Sequence, residues 1–259
     1  PSRRRDPGGR IERPQGIGGD HTDEELGSPK PFNRVEAAYG DMARAAGIDM
    51  PEIRMLEADG YAHLVIPRFD IQDGERLHQH TFGGLVHVDY NAPGASSYEE
   101  YLRAILELGM GYDALTEGFR RTAFNVMAVN QDDHVKNLSF QMDREGTWSL
   151  APAYDVTFAR GTGWTREHQM RIQDKTSGIR RDDLLAVASD FGVKKADTIL
   201  TKIRNVLDKW ERYASGYVVD EDVREIIREE IDRRENVLAG TQDEMPTEPP
   251  ELLVGQPES

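Results

Sequence analysis

The chain contains no cysteine, which excludes disulfides, thiolate zinc sites and cysteine nucleophiles and leaves a reducing compartment open. No uninterrupted apolar run approaches the roughly 18 residues that a membrane span needs, so no membrane association is expected. Basic charge is also short: 32 lysines and arginines stand against 47 aspartates and glutamates, a net charge of −15. Attraction to nucleic-acid phosphate needs a basic surface, so direct nucleic-acid binding is not expected and any DNA contact would go through a partner. The opening Pro-Ser-Arg-Arg-Arg-Asp-Pro-Gly-Gly-Arg is basic but leads into no apolar segment of a secretory signal, which predicts a cytoplasmic location. A chain that opens on proline reads as a fragment.

What is present is an ordinary soluble balance, 37% hydrophobic and 31% charged, in a length that suits one good core or two small ones. Residues 1–31 hold Gly, Pro and Arg with almost no apolar periodicity and read as a flexible arm. Val35, Ala38, Tyr39, Met42, Ala45 and Ala46 then recur at helical spacing, with Gly47 as the stop. Two short apolar runs, 52–57 and 61–69, joined by Ala58-Asp59-Gly60, predict a hairpin, the only strong strand pair before residue 130. Ser97 and Glu100 form a capping-box pattern opening a helix to about Leu108, and a longer helix follows from about Tyr112 to Val129. Runs 138–141 and 147–150 suggest a second hairpin. Beyond residue 181 the pattern is helical: one helix around Leu184–Ala188, one over Ile199–Trp210, and a charged, peripheral one over Val223–Leu238. From Gly240 the sequence is an acidic, proline-bearing tail. The expected fold class is α+β, mostly helical.

The densest polar run, Asn130-Gln131-Asp132-Asp133-His134-Val135-Lys136-Asn137, follows directly on the apolar positions Phe124, Met127 and Val129. Acids, an imidazole and amides at the end of a core helix are costly to desolvate unless they pair or bind a cation, which leaves a solvated loop or a metal site. Asp132 precedes Asn137 by five positions, the spacing of a kinase catalytic loop. Taken alone, that spacing is weak. Eighteen positions past Asn137 stands Asp155, in Leu150-Ala151-Pro152-Ala153-Tyr154-Asp155-Val156. A hairpin between the two runs would return the chain and set Asp155 beside Asn137, so that carboxylate and amide share magnesium against ATP phosphates.

These two runs together resemble the HipA family of bacterial toxin kinases, as do Arg34–Gly47 with Met50-Pro51, Arg68-Phe69-Asp70 and Arg76-Leu77-His78-Gln79; the resemblance covers about residues 20–215. It implies a diverged protein-kinase-like bilobal fold, with 32–70 as a remnant of the nucleotide-side lobe and 71–239 as a helical catalytic lobe. It further implies Asp132 as catalytic base and Asn137 and Asp155 as Mg2+ ligands. Lys136 and His134 lie inside the loop motif, where Lys136 could neutralise phosphate charge and His134 brace the loop. The stretch Pro67 to Asp70, with Arg68, Phe69 and Asp70, falls at the hinge that reads adenine, and Glu36 stands where an acid pairs with the nucleotide-binding lysine. ATP and Mg2+ are the implied cofactors. A DNA-binding antitoxin of the HipB type is the implied partner, and a protein hydroxyl, on an enzyme such as an aminoacyl-tRNA synthetase, the implied acceptor.

The match is incomplete at the front. The family carries a phosphate-gripping loop and a lysine-bearing strand before the first helix, whereas upstream of Asn33 the only lysine is Lys30, between prolines, and Gly16–Asp20 reads as a linker. The front lobe is therefore expected to be truncated, and Pro67 replaces the usual hinge acid. A catalytically impaired pseudokinase or binding module stands as one alternative, and a small-molecule phosphotransferase as another. His78, His80 and His87 read as surface or hydrogen-bonding histidines, Trp148, Trp164 and Trp210 as core or cap aromatics, and Arg224–Arg234 as a solvated helix face.

Overall fold

A computed structural model describes residues 32–58, 61–72, 74–88 and 92–245. The N-terminal arm, its glycine-rich run, Lys30 and the tail beyond 245 lie outside the described residues. Helix α1 (Phe32–Ala46) buries Val35, Ala38, Tyr39, Met42 and Ala46 of the face the sequence spacing predicted, while Ala45 from that set is exposed. It ends as a Schellman motif: Gly47 takes φ +95°, its N–H donates to Arg44 O at 2.9 Å, and Ile48 N donates to Ala43 O at 3.0 Å. Strands β1 (Arg54–Ala58) and β2 (Tyr61–Val65) pair antiparallel as expected, with Met55 and Leu64 packed toward the core.

The expectation of a single strand pair before residue 130 is too sparse. A short ribbon, β3 (Ile71–Gln72) with β4 (Glu75–Arg76), is followed by β5 (His78–Thr81). Strand β5 is built from His-Gln-His-Thr and has no apolar alternation, so only a partner far along the chain makes it a strand. That partner is β7 (Ser139–Met142), which in turn pairs with β8 (Trp148–Leu150) in a three-stranded antiparallel sheet. His78 packs its ring edge against Trp148 at 5.8 Å. Between β5 and β7 run α2 (Phe82–Val86), β6 (Ser96–Ser97), α3 (Tyr98–Glu107) and α4 (Gly111–Met127). The capping box at α3 forms in both directions, Ser97 Oγ accepting from Glu100 N and the Glu100 carboxylate accepting from Ser97 N.

The rest of the chain adds β9 (Met170–Arg171), parallel to β6, then α5 (Arg181–Asp190), α6 (Ala196–Leu207), α7 (Trp210–Gly216) and α8 (Glu221–Ala239). The helix predicted over Ile199–Trp210 is in fact two. The break at Asp208-Lys209 lets Trp210 turn inward, where it is fully buried, packs edge-on to Tyr39 at 5.6 Å and donates Nε1–H to Arg224 O at 2.9 Å. Tyr39 sits at the centre of this core and donates its hydroxyl to Ala128 O at 2.9 Å, satisfying a carbonyl at the end of α4. Helix α8 is not peripheral: Ile227, Ile231 and Val237 are buried, and so are the charged Glu230 and Arg234, which the expected solvated face would have exposed. Trp164, read as a core or cap aromatic, is exposed and so is not a core residue. Residues 241–245 do not simply leave the surface, since Met245 packs on the core and Asp243 accepts from Arg180 at 3.0 Å.

Candidate functional site

Helix α4 ends abruptly. Val129 takes a left-handed φ of +57°, which is costly for a β-branched residue, and Asn130 N folds back to Asn125 O at 2.9 Å. The loop that follows is held from two sides by backbone bonds. Gln131 N donates to Ala159 O at 2.9 Å and Ala159 N to Val129 O at 3.1 Å, while Phe82 N and Gly83 N from α2 donate to Leu138 O and Val135 O at 2.7 and 3.0 Å. Asn137 closes the loop by donating Nδ2–H to Asp132 O at 2.9 Å, which leaves its amide oxygen free of that bond.

The β7–β8 hairpin then returns the chain, with Ala151 N donating to Ser139 O at 2.9 Å. Tyr154 completes the return, because its hydroxyl bonds both Lys136 O and Ser139 Oγ. The next residue, Asp155, therefore lies against the loop, in a left-handed conformation at φ +51° that is uncommon outside glycine. Buried Arg121 braces the approach to it, donating to Glu117 at 3.0 Å and to Ala151 O at 2.8 Å. Asn137 and Asp155 line one cavity of about 20 Å³ with Asn125, Asn130, Arg121 and Tyr154. That is room for one water-sized species.

The carboxylate that lines this cavity, Asp155, feels two others nearby, Asp132 and Glu36. Burial pushes Asp155 above the ordinary carboxylate range, and the charge of Asp132 adds to the shift while His134 opposes it. Asp132 is likewise raised by burial, against which His134, with Nε2 3.7 Å from its Oδ1, works more strongly than the neighbouring Asp133 adds. Glu36 on α1 is pushed up to about 8, by burial and then by Asp155. So the fold brings Asp132, His134, Asn137, Asp155 and Glu36 into one electrostatic neighbourhood. Lys136 is exposed on the loop. Arg68 and Asp70 are not drawn in: they pair with each other at the surface, Arg68 Nε donating to Asp70 at 2.8 Å. Phe69 lies between these groups, stacking on Tyr154 at 5.8 Å and offering its carbonyl to Gln141 Nε2 at 2.9 Å.

The role of Asp133 and its partners is not readable from the sequence, although Asp133 lies in the polar run. Asp133, 2% exposed, accepts from Tyr98 OH and His168 Nδ1, both at 2.8 Å, and from Gln169 N at 2.7 Å. The chain of bonds runs on to the cavity wall: Asn125 donates to Tyr98 OH at 2.9 Å and Asn130 donates to Asn125 at 3.1 Å. Asp133 is thus a buried anchor and Asp132 the half-exposed acid beside it. Asn125, a polar residue buried among Phe124, Val126 and Ala123 on α4, was the one further hint of this network. Tyr98→Phe removes a donor to Asp133 and an acceptor from Asn125, and is expected to destabilise the protein by about 1–3 kcal/mol. Urea unfolding checks it: a lower midpoint at unchanged slope is expected, and an unmoved midpoint would mean that Asp133 finds another donor.

Comparisons with known proteins agree in direction. Residues 21–210 match the family model described as HipA-like C-terminal domain. A curated protein of Sinorhizobium fredii named Putative kinase Y4dM is 25% identical over 195 residues, covering 68% of this chain and 47% of that protein. A chain from the Shewanella oneidensis MR-1 toxin–antitoxin complex of HipA, HipB and operator DNA superimposes with a TM-score of 0.62 at 17% identity, over 81% of this chain and 56% of that one. The chain therefore spans about half the length of the relatives it matches. Among the described residues, no helix is long and apolar enough to cross a membrane.

Proposed function

We propose that this chain, which belongs to the family of HipA-like C-terminal domains, is the catalytic region of a HipA-like serine/threonine protein kinase with a diverged protein-kinase-like fold. The observation that carries this reading is the Tyr154 tether, which sets Asp155 against the loop bearing Asp132 and Asn137. In this reading Asp132 accepts the proton of the substrate hydroxyl as it attacks the γ-phosphorus of ATP. His134 holds that carboxylate in place, and Lys136 offers positive charge toward the phosphates.

The donor set fits Mg2+. Asp155 and the Asn137 amide oxygen are hard oxygen donors, Asn130 Oδ1 on the same cavity wall is buried with no hydrogen-bond partner, and the mutual repulsion of Asp155 and Asp132 is what a cation relieves. No group of three or more His, Asp or Glu side chains at metal-binding range occurs among the described residues, so any remaining ligands of such an ion would have to come from phosphate and water. Bound there, the ion would neutralise phosphate charge. The segment Pro67 to Asp70 would form the adenine hinge through its backbone, with Arg68 and Asp70 fixing each other and Phe69 resting on Tyr154.

A second reading, a pseudokinase that binds without turnover, is favoured by Glu36, whose carboxyl is raised to about 8 by burial and then by the charge of Asp155. A third, a small-molecule phosphotransferase, differs only in acceptor. The neighbour solved with HipB and operator DNA supports a HipB-type antitoxin as partner; a protein acceptor, such as an aminoacyl-tRNA synthetase, is carried into this reading by the family resemblance alone. Titration calorimetry with Mg2+ and ATP, followed by phosphoryl transfer to a panel of protein and small hydroxyl acceptors, separates these. Binding with transfer to protein supports the kinase, binding without transfer the pseudokinase, and transfer to small acceptors alone the third reading.

A further inference from the structure

Gln131 stands directly before Asp132 and is buried, at 2% exposure. In the amide orientation that satisfies its neighbours, its Nε2 donates to Thr165 O at 2.9 Å and its Oε1 accepts from Arg234 Nη2 at 3.1 Å. Thr165 belongs to the segment that follows Asp155, and Arg234 to α8, about a hundred residues further along the chain. Arg234 is 1% exposed, and its Nε and Nη1 have no hydrogen-bond partner, so Gln131 takes its one side-chain hydrogen bond among the described residues.

The surroundings keep that guanidinium in place. One turn earlier on α8 lies Glu230, fully buried, with Oε2 2.9 Å from Arg160 Nη1 and Oε1 shared with Arg233. Burial and the nearby Arg160 pull Arg234 down to about 10, while Asp133 and Glu230 hold it charged. Buried ions of this kind are weak contributors to stability, and an apolar side chain of similar volume would serve packing as well. What a charged, planar donor adds is direction. Here the direction is toward the residue that sets the path of the acid loop.

We infer that Arg234 is a positioning residue for Asp132, acting through Gln131. The inference rests on the phosphoryl-transfer reading only in assigning Asp132 its role. Mechanically, Gln131 is clamped between α8 and Thr165 while its own N–H is tied to Ala159 O. The loop carrying Asp132 and the segment following Asp155 are thereby registered from behind, as Tyr154 registers them from the front. Helix α8 thus becomes part of the machinery that sets the acid, rather than a cover for the core.

The test uses the full chain with Arg234→Met, Gln131→Leu and the double variant, and two readouts. Amide hydrogen exchange by mass spectrometry follows residues 130–137, with 98–107 as the control; steady-state kinetics with ATP and an acceptor separate kcat from KM. Each single variant is expected to speed exchange of 130–137 about tenfold and leave 98–107 unchanged. Turnover is expected to fall about 10- to 100-fold in kcat, the scale of a small misplacement of a reacting group, with KM for ATP within about twofold. Because the two residues act as one unit, the double variant should lose no more than the worse single one. Unchanged exchange in 130–137, or losses that multiply in the double variant, overturn the inference. Should Arg234→Met fail to fold, Gln131→Leu carries the same test. If the wild type exchanges as expected but shows no turnover, the kinase reading fails while the link from Arg234 to the loop stands.

Discussion

Asp155→Ala is expected to abolish the heat of Mg2+–ATP binding, a loss of at least about 100-fold in affinity, as befits removal of a charged ligand worth several kcal/mol. The carboxylate is held against the Asn137 loop by the residue before it, whose hydroxyl is spent on Lys136 O and Ser139. It also sits at φ +51°, a conformation an L-residue adopts at a cost of about 1–2 kcal/mol. Neighbours must hold it there, and a cation bound beside it would offset the burial and the neighbouring Asp132 charge that raise it. Alanine keeps the backbone and removes the charge, so a thermal melt run beside the titration separates lost binding from lost folding. Full binding by a folded Asp155→Ala variant would remove Asp155 from the metal site and, with it, the main support for the proposed chemistry.

Asp132→Asn is expected to lower kcat by about 10²- to 10⁴-fold, the contribution of a general base, while ATP affinity stays within a few-fold. The asymmetry follows from position. Asp132 keeps 43% of its side chain exposed, beside His134, whereas Asp133 is closed off by Tyr98, His168 and Gln169. An exposed acid meets an incoming hydroxyl; a buried and fully bonded one shapes the loop. Rapid-quench measurement of phosphoryl transfer with saturating ATP reads the chemical step directly. Transfer at the wild-type rate in Asp132→Asn would assign the base elsewhere.

The two motif runs were legible because their logic is local. A loop of five-residue acid-to-amide spacing, a short hairpin and an acid after an apolar strand each depend on neighbours a few positions away, and the hairpin does return the chain where that spacing requires. The hydrogen bonds that make the arrangement exact in space were not legible. Tyr154 reads as one more aromatic beside an apolar strand, and nothing near it in sequence says that its hydroxyl will meet Lys136 O. Strand β5 was missed for a related reason: His-Gln-His-Thr becomes a strand by meeting β7, about sixty residues away. Helix α8 was misread because alternating charges usually mark a solvated face, and only the arrival of Arg160 and Gln131 turns Glu230 and Arg234 inward.

By itself, then, the sequence determined most of the long helices, the hairpins β1–β2 and β7–β8, the absence of thiol chemistry and the acidic runs on which the phosphoryl-transfer reading stands. These follow from backbone geometry and side-chain periodicity, which act over three or four residues. Tertiary structure alone decided which of two adjacent aspartates faces out, which tyrosine joins the motifs and which helix stands behind the acid. Those choices turn on where buried polar groups find partners, and a partner can come from anywhere in the chain.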